Sequence, residues 1–521
     1  MLSSRRQSNR SNRWVPTAPP GRPGARGAET APRVKNDDGA KPAKPRNTTR
    51  VARVPVKAGQ HPLANASENA QLFDYEQRTK AAFDAVVPTL KQISGLQHKA
   101  DFERRAQALA KEQLGFELPG DILADAWVTQ LDMRRLFAWC VFQTYQQFCD
   151  DFFANDFLSR LETEFQTFLI ECGFHTLDIS PCADGRLAHV ISYVLRLPHK
   201  VVRRRSYAGA MFDIEDSVTK WTEMELQRFR EGTPTSADMP TRYLKTVVYH
   251  FSSGDPEHEG CAAHGSDAGR AAQGGLEQLK AFQTAVENSF CCGASIDLML
   301  IGLDTDSDAI RIHMPDRHGE IDLKRYLDAS ELFDATLSMS RAQADEYIYG
   351  QVRQAGGEMS EGMQKLMSHL LINNVSQIEY VRQYHNGRYQ DIGHAERFIG
   401  AGIGFEEVQL RNLTYFAYMQ TVEEAAADLD VGINIFSKLN VSHDLPVPIV
   451  VRFDYHGQVP GARERAIEHC ERVDNALHDR YTELATKGLL HTLRVIRDCE
   501  AGERIEVMGS SVKGQVFEEA H

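Results

Sequence analysis

Pro181-Cys182-Ala183-Asp184-Gly185-Arg186 is the stretch on which the reading of this 521-residue chain turns, with His250 and Cys261 following on either side of a Gly-rich loop. Thiolate and imidazole are ligands that zinc prefers, and a site with three protein ligands leaves the fourth tetrahedral position to a water that the metal acidifies. Two thiolates bring such a site to near-zero net charge and weaken the acidification, so a neighbouring group must orient the water. Asp184, on the same turn as Cys182, can accept a hydrogen bond from it, and Arg186 can hold Asp184 ionised with a fork of donors. The pattern predicts a metalloenzyme with Cys182, His250 and Cys261 as ligands and Asp184 with Arg186 beside them. On the plainer reading, Cys182 and Cys261 are ordinary buried cysteines, Asp184-Gly185 is a turn and Arg186 forms a surface ion pair.

The second ligand has alternatives. His258-Glu259-Gly260-Cys261 is a compact His-x-x-Cys, and His264 follows Cys261 by three residues. His250 belongs to a β-rich run that packing would hold fixed, whereas His258 lies in Ser252-Ser-Gly-Asp-Pro-Glu-His-Glu259, a loop by its turn chemistry. His250 is therefore the preferred ligand and His258 the alternative. Cys291-Cys292-Gly293 is read as core, since adjacent cysteines seldom chelate one zinc. Nine cysteines without the dense spacing of a disulfide scaffold indicate a reducing compartment.

Around the motif the texture is α/β. His175 to Ser180 alternates into Pro181, Lys245 to Phe251 and Ile296 to Leu303 are β-rich, and Leu276, Leu279, Phe282 and Val286 recur at helical spacing. Cys182 and His250 thus fall near strand ends, where such sheets hold ligands. Upstream the signals are helical. Leu158, Leu161, Phe165, Phe168 and Leu169 share a face that stops at Gly173, and Trp127, Leu131, Phe137, Trp139, Phe142 and Phe148 make an aromatic helical core. Downstream, Pro448 to Gly457 repeats the pattern of Lys245 to Gly254, with Phe453 where His250 stands and no Cys-x-Asp-x-Arg before it. This predicts a duplicated domain whose second copy carries no metal.

The net charge of -13 conceals a split: residues 1–57 hold fourteen Lys and Arg against Glu29, Asp37 and Asp38, so this arm carries +11 and the remainder -24. Residues 1–65 contain nine of the twenty prolines and Trp14 as the single aromatic, too little apolar surface to offset ordering entropy, and are expected to be disordered. The tandem Ser8-Asn-Arg-Ser-Asn-Arg13 before Trp14 reads as a recognition peptide, with a solvated tail and a transit peptide as the other readings. An acidic protein surface is the expected partner, and nucleic acid is not. No apolar run is long enough to span a bilayer, and Met1 to Gln7 has no signal character, so a soluble protein is expected.

At the motifs themselves the chain resembles beta-class carbonic anhydrases, and within them the divergent, or epsilon-class, carboxysome shell carbonic anhydrase family. The resemblance is carried by Pro181-Cys-Ala-Asp-Gly-Arg186, Gly260-Cys-Ala-Ala-His-Gly265, Gly393-His-Ala-Glu-Arg-Phe-Ile399 and Gly404-Phe-Glu-Glu-Val-Gln-Leu-Arg-Asn412. It implies an α/β (α+β) chain with a basic arm at 1–65, a helical domain at 66–155, a zinc-binding catalytic domain at 156–399 and a degenerate, zinc-free repeat at 400–521. It also implies one zinc per chain on Cys182, His250 and Cys261, with Asp184 and Arg186 as the catalytic dyad. The implied reaction is reversible hydration of carbon dioxide to bicarbonate inside a carboxysome. The basic arm would bind Rubisco or shell proteins, and the chain would form a homodimer or higher homo-oligomer. A histidine would carry protons, with His385, His394 and bulk buffer as the options. A zinc-braced scaffold protein without catalysis, and a zinc hydrolase of a larger substrate, are the competing readings.

Overall fold

Asp178, Arg203 and Lys245 stand side by side on three adjacent parallel strands, in register, and this buried row fixes how the first sheet is assembled. The computed structural model describes residues 60–126, 129–154, 162–234, 236, 241–289, 294–405, 409–501 and 504–512, all within one compact unit. Residues 1–59 of the basic arm, Trp127, Leu158, Leu161, Cys291 and Cys292 lie outside the described residues. Residues 60–65, expected to be disordered with the arm, are instead packed: His61 is buried against the Phe333 carbonyl at 3.2 Å and Leu63 belongs to the first core, because these two side chains find apolar and polar partners on the body.

The chain begins with helices α1 (Ala66–Ser94), α2 (Phe102–Gln113), α3 (Gly120–Asp125) and α4 (Met133–Ala154). In α1 the buried Leu72, Tyr75, Thr79, Phe83, Val86, Leu90 and Ile93 recur at three- and four-residue steps, and in α4 Phe137, Val141, Tyr145, Phe148 and Phe152 do the same. Helix α5 (Glu162–Glu171) ends at Gly173, whose φ of +85° closes the cap as the Phe174 N–H reaches back to the Leu169 carbonyl at 3.0 Å.

The first sheet contains β1 (Thr176–Pro181), β2 (Val202–Arg204), β3 (Thr241–Phe251), β4 (Ala294–Asp304), β5 (Ile310–Pro315) and β6 (Ile321–Asp328), in the order β2-β1-β3-β4-β5-β6. Strands β1 to β4 are parallel, and β5 and β6 turn back as antiparallel neighbours. Helices α6 (Ile214–Arg230), α7 (Ala268–Ser289), α8 (Ala329–Thr336), α9 (Arg341–Gly356) and α10 (Glu361–Tyr384) cover it. The stretch from 305 to 397, which carried no strand or helix signal in the sequence reading, supplies β5, β6 and three of these helices.

The second sheet is built from β7 (Phe398–Gly402), β8 (Thr414–Tyr418), β9 (Val447–Tyr455), β10 (Leu490–Asp498) and β11 (Glu506–Ser510), with α11 (Ala426–Leu439), α12 (Ala462–Arg480) and α13 (Thr482–Thr486) between them. Its order β8-β7-β9-β10-β11 repeats β2-β1-β3-β4-β5, with the last strand again antiparallel. The duplication expected from the β3-like and β9-like runs is thus visible in topology. Alternate residues of its strands belong to different cores. Phe398, Phe416, Val450, Leu493 and Val495 face the N-terminal helices, while Ile399, Tyr415, Val451 and Ile496 face α11 and α12. Burial on both faces is why these strands read as unbroken apolar runs. None of the described helices is long and apolar enough to cross a membrane.

Asp178 and Lys245 are fully enclosed, and Arg203 is nearly so. Lys245 Nζ lies 2.9 Å from Asp178 Oδ1 and donates to Ser180 Oγ at 2.9 Å, while Arg203 and the Tyr243 hydroxyl bond Asp178 from the other side. Burial lowers Lys245 to about 8 and the Asp178 charge opposes that fall. For Asp178, burial works against ionisation, but Arg203 and Lys245 outweigh it and hold the carboxyl well below the usual range. Replacing Asp178 by Asn leaves the buried Lys245 without its carboxylate and takes from Arg203 one of its two, Asp216 being the other, so the unfolding free energy should fall by about 3–5 kcal/mol. The chemical denaturation midpoint of the full chain is the measurement.

Candidate metal centre

Cys182 follows the last residue of β1, and its N–H donates to the Val248 carbonyl on β3 at 3.2 Å. His250 is the penultimate residue of β3, so both side chains emerge at the carboxyl edge of neighbouring parallel strands. Cys261 lies beyond, held by a tight loop in which its carbonyl accepts from the N–H groups of His264 at 3.0 Å and Ser266 at 2.9 Å. Gly260 permits that turn, since a Cβ there would lie 2.5 Å from the Ser266 carbonyl oxygen.

The side chains of Cys182, His250 and Cys261 converge, with their donor atoms all within 4.8 Å of one another and all three residues buried. Two sulfurs on one tetrahedral zinc stand about 3.8 Å apart, given Zn–S bonds of about 2.3 Å. His250 is fully buried, and neither ring nitrogen has a hydrogen-bond partner among the described residues. A buried imidazole without partners is costly unless something else takes its lone pair. A hydrogen bond with Cys261, and then burial, push the Cys182 thiol well up. A divalent cation between the sulfurs is what would allow both to ionise. The donor set fits a soft, tetrahedral metal.

Beside it, Arg186 grips Asp184 with two parallel donors, Nε to Oδ1 at 3.0 Å and Nη2 to Oδ2 at 2.7 Å. Arg186 Nη1 is spent on the Glu259 carbonyl at 2.6 Å and the Ile392 carbonyl at 3.0 Å, so the fork cannot swing. Burial disfavours the Asp184 charge, but Arg186, His394 and His250 together hold its carboxyl well below the usual range. Its Oδ2 stands 3.6 Å from His250 Nε2 and 4.0 Å from His394 Nε2.

The connection into the second half and that half itself complete the surroundings. Glu396 Oε1 accepts from the Gly185 N–H at 3.1 Å and bonds His394 Nδ1 at 2.8 Å. Gly185 is required there, because a Cβ would sit 2.5 Å from Glu396 Cγ. The Asn412 N–H donates to the Gly185 carbonyl at 2.8 Å, and Asn412 Nδ2 donates to the Gly393 carbonyl at 3.0 Å. Arg411 covers Tyr389 at 4.3 Å and donates to the Asp391 carbonyl at 2.9 Å. Burial depresses His394, but Asp184 and Glu396 carry it up to about 9. A cation on the nearby sulfurs would pull that value back. A cavity of about 520 Å³ opens onto Cys182, Asp184, His250, Cys261, His394 and Tyr415.

The other histidines lie elsewhere. The side chain of His258 is 73% exposed and tied to Asp255 at 2.8 Å, outside the converging group. His264 bonds the Gly209 carbonyl at 3.1 Å. His385 stands 3.6 Å from Glu76 and packs on Tyr389 at 4.6 Å, and it does not line the cavity. Sequence reasoning missed Glu396 and Tyr415; Glu396 stood within the quoted Gly393-to-Ile399 phrase, whereas Tyr415 left no signal beyond strand alternation.

Strand register shows what the second copy has at the same places. With Pro448–Gly457 aligned on Lys245–Gly254, Phe453 falls on His250 and Ile449 on Thr246; since Thr246 pairs with Ile179 and Ile449 with Ile399, the register then carries Cys182 to Gly402 and Asp184 to Gly404. A Cβ at Gly402 would lie 2.0 Å from the Arg452 carbonyl oxygen and one at Gly404 2.7 Å from the Arg452 side chain, so neither a thiol nor a carboxylate fits.

Three family models match in succession: Carboxysome Shell Carbonic Anhydrase, N-terminal, over residues 61–153, catalytic domain over 164–394 and C-terminal over 395–512. Curated relatives named carboxysome shell carbonic anhydrase include one from Prochlorococcus marinus (strain MIT 9313), 56% identical over 88% of this chain and 91% of the relative. Another, from Parasynechococcus marenigrum (strain WH8102), is 54% identical over 94% and 85%, and one from Halothiobacillus neapolitanus (strain ATCC 23641 / c2) is 43% identical over 88% and 92%. The fold, the site and these likenesses define a carbonic anhydrase. More narrowly, the chain belongs to the carboxysome shell carbonic anhydrase family.

The geometry separates the two histidines by experiment. His250→Ala should lose bound metal, and His258→Ala should keep one ion per chain; elemental analysis of the purified full-length variants reads the difference.

Proposed function

We propose that the chain is a zinc enzyme that interconverts carbon dioxide and bicarbonate inside carboxysomes, with Cys182, His250 and Cys261 holding the metal. The observation that carries this reading is the fully buried His250 ring, which has no hydrogen-bond partner among the described residues and lies within 4.8 Å of two sulfurs at the edge of a cavity. Zinc held there would supply a Lewis acid that brings the pKa of a water toward neutrality and so generates the nucleophile. A metal that only braces a fold is closed by a fourth protein ligand. Among the described residues this group offers three, and a cavity adjoins them, which favours catalysis over bracing.

The chain's own groups then have distinct tasks. Asp184, kept ionised by Arg186, accepts a hydrogen bond from the attacking oxygen and turns its lone pair toward the carbon. Arg186 acts through Asp184, since Nε and Nη2 hold that carboxylate and Nη1 is spent on backbone carbonyls. His394 is the proton carrier we favour over His385, because it lines the cavity 4.0 Å from Asp184 while Glu396 fixes its Nδ1. We further propose domain limits at 66–155, 156–399 and 400–521 for the helical, catalytic and zinc-free parts. Assembly as a homodimer or higher homo-oligomer belongs to the same proposal. The arm of charge +11 in residues 1–57 would bind acidic surfaces of Rubisco or shell proteins, an attraction that salt should screen.

Asp184→Ala should retain zinc and lose about 10²-fold or more of carbon dioxide hydration in a stopped-flow assay; full activity would refute the assignment. Deleting residues 1–60 should leave that activity intact and abolish co-sedimentation with Rubisco and shell proteins at low salt.

A further inference from the structure

Part of the cavity wall comes from the metal-free half: Tyr415 on β8, and Val431, Asn434, Ile435 and Lys438 along one stripe of α11. Tyr415 is 1% exposed, and its hydroxyl has no hydrogen-bond partner among the described residues. Its ring is accommodated by Gly432 on α11, where a Cβ would lie 2.9 Å from the ring. A buried hydroxyl left unpaired is unfavourable, and because Tyr415 lines this cavity its missing partner points to one that enters from the cavity.

The chemistry of the lining narrows that partner. Asp184 and Glu259 can only accept, and Cys182 and Cys261 are committed to the metal on the reading above. His394 has one ring nitrogen on Glu396 and the other facing Asp184. Converting carbon dioxide to bicarbonate builds negative charge on an oxygen, which needs a donor. Asn434 and Lys438 are exposed and His250 is committed to the metal on the reading above, and the phenol is a buried lining donor without a partner among the described residues, protonated at neutral pH.

We propose that Tyr415 is a catalytic residue contributed by the metal-free half: its hydroxyl donates a hydrogen bond to the oxygen of carbon dioxide that gains charge, and to the same oxygen of bicarbonate. The phenolic hydrogen stays on Tyr415 throughout, and no covalent bond to it forms or breaks. The inference rests on the function proposed above and names a further group at that site.

The test is Tyr415→Phe in the full-length, metal-loaded protein, which keeps the ring and removes no hydrogen bond made within the described structure. Metal content should be unchanged and the melting midpoint equal or higher. The kcat/KM should fall at least about tenfold for both hydration and bicarbonate dehydration, equivalent to about 1.4 kcal/mol. A variant within twofold of the wild type overturns the assignment. Lost activity accompanied by lost metal also overturns it, by assigning the hydroxyl to the metal site. An inactive wild type would sink the carbonic anhydrase reading itself, whereas an active wild type matched by the variant sinks only the role of Tyr415.

Discussion

Gly185 is bonded on both sides by groups that lie more than two hundred residues away: its N–H reaches Glu396 and its carbonyl accepts from the Asn412 N–H. Everything at the site hangs on that double anchor. Cys182, Asp184 and Arg186 surround Gly185 on one turn, so holding its peptide groups holds the sulfur, the carboxylate and the guanidinium together. The same Glu396 oxygen that receives Gly185 also orients His394, which couples the position of the turn to that of the histidine facing it.

This explains why a second copy persists without ligands of its own. Its strands repeat the order of the first sheet, yet glycines occupy the places of the cysteine and aspartate and Phe453 that of the histidine. Freed from coordination, those positions close tightly around Arg452 and leave no room for a ligand side chain. The half works instead through its edge, supplying Arg411, Asn412, Tyr415 and the α11 stripe. The N-terminal helices in turn cover the face of its sheet that α11 and α12 leave open.

Much of this was legible before any coordinates. Cys182, Asp184 and Arg186 lie within five positions, so one turn brings them together whatever the rest of the chain does. His250 was favoured over His258 because a β-rich run is fixed by packing and a Gly-Pro loop is not, and burial follows that division. The repeat was readable because both copies of the long central strand are buried on two faces and keep the same apolar run. Glu396 and Tyr415 were not readable as site residues, since their roles arise from tertiary proximity to groups far away in sequence. The helices α8 to α10 were missed because no motif marks them, although their apolar faces close the first core.

The joining of the two halves in one chain has a consequence for dilution. Where two separate subunits form a pocket between them, lowering the concentration can dissociate the wall from the metal. Here the stretch from α10 to β7 is a covalent tether, so the effective concentration of the wall is set by chain geometry and not by how much protein is present. The asymmetry also fixes stoichiometry: with glycines barring the second position, each 58.5 kDa chain offers a single Cys-His-Cys cluster among its described residues. Among the described residues no intramolecular twin is then present with which that cluster could cooperate.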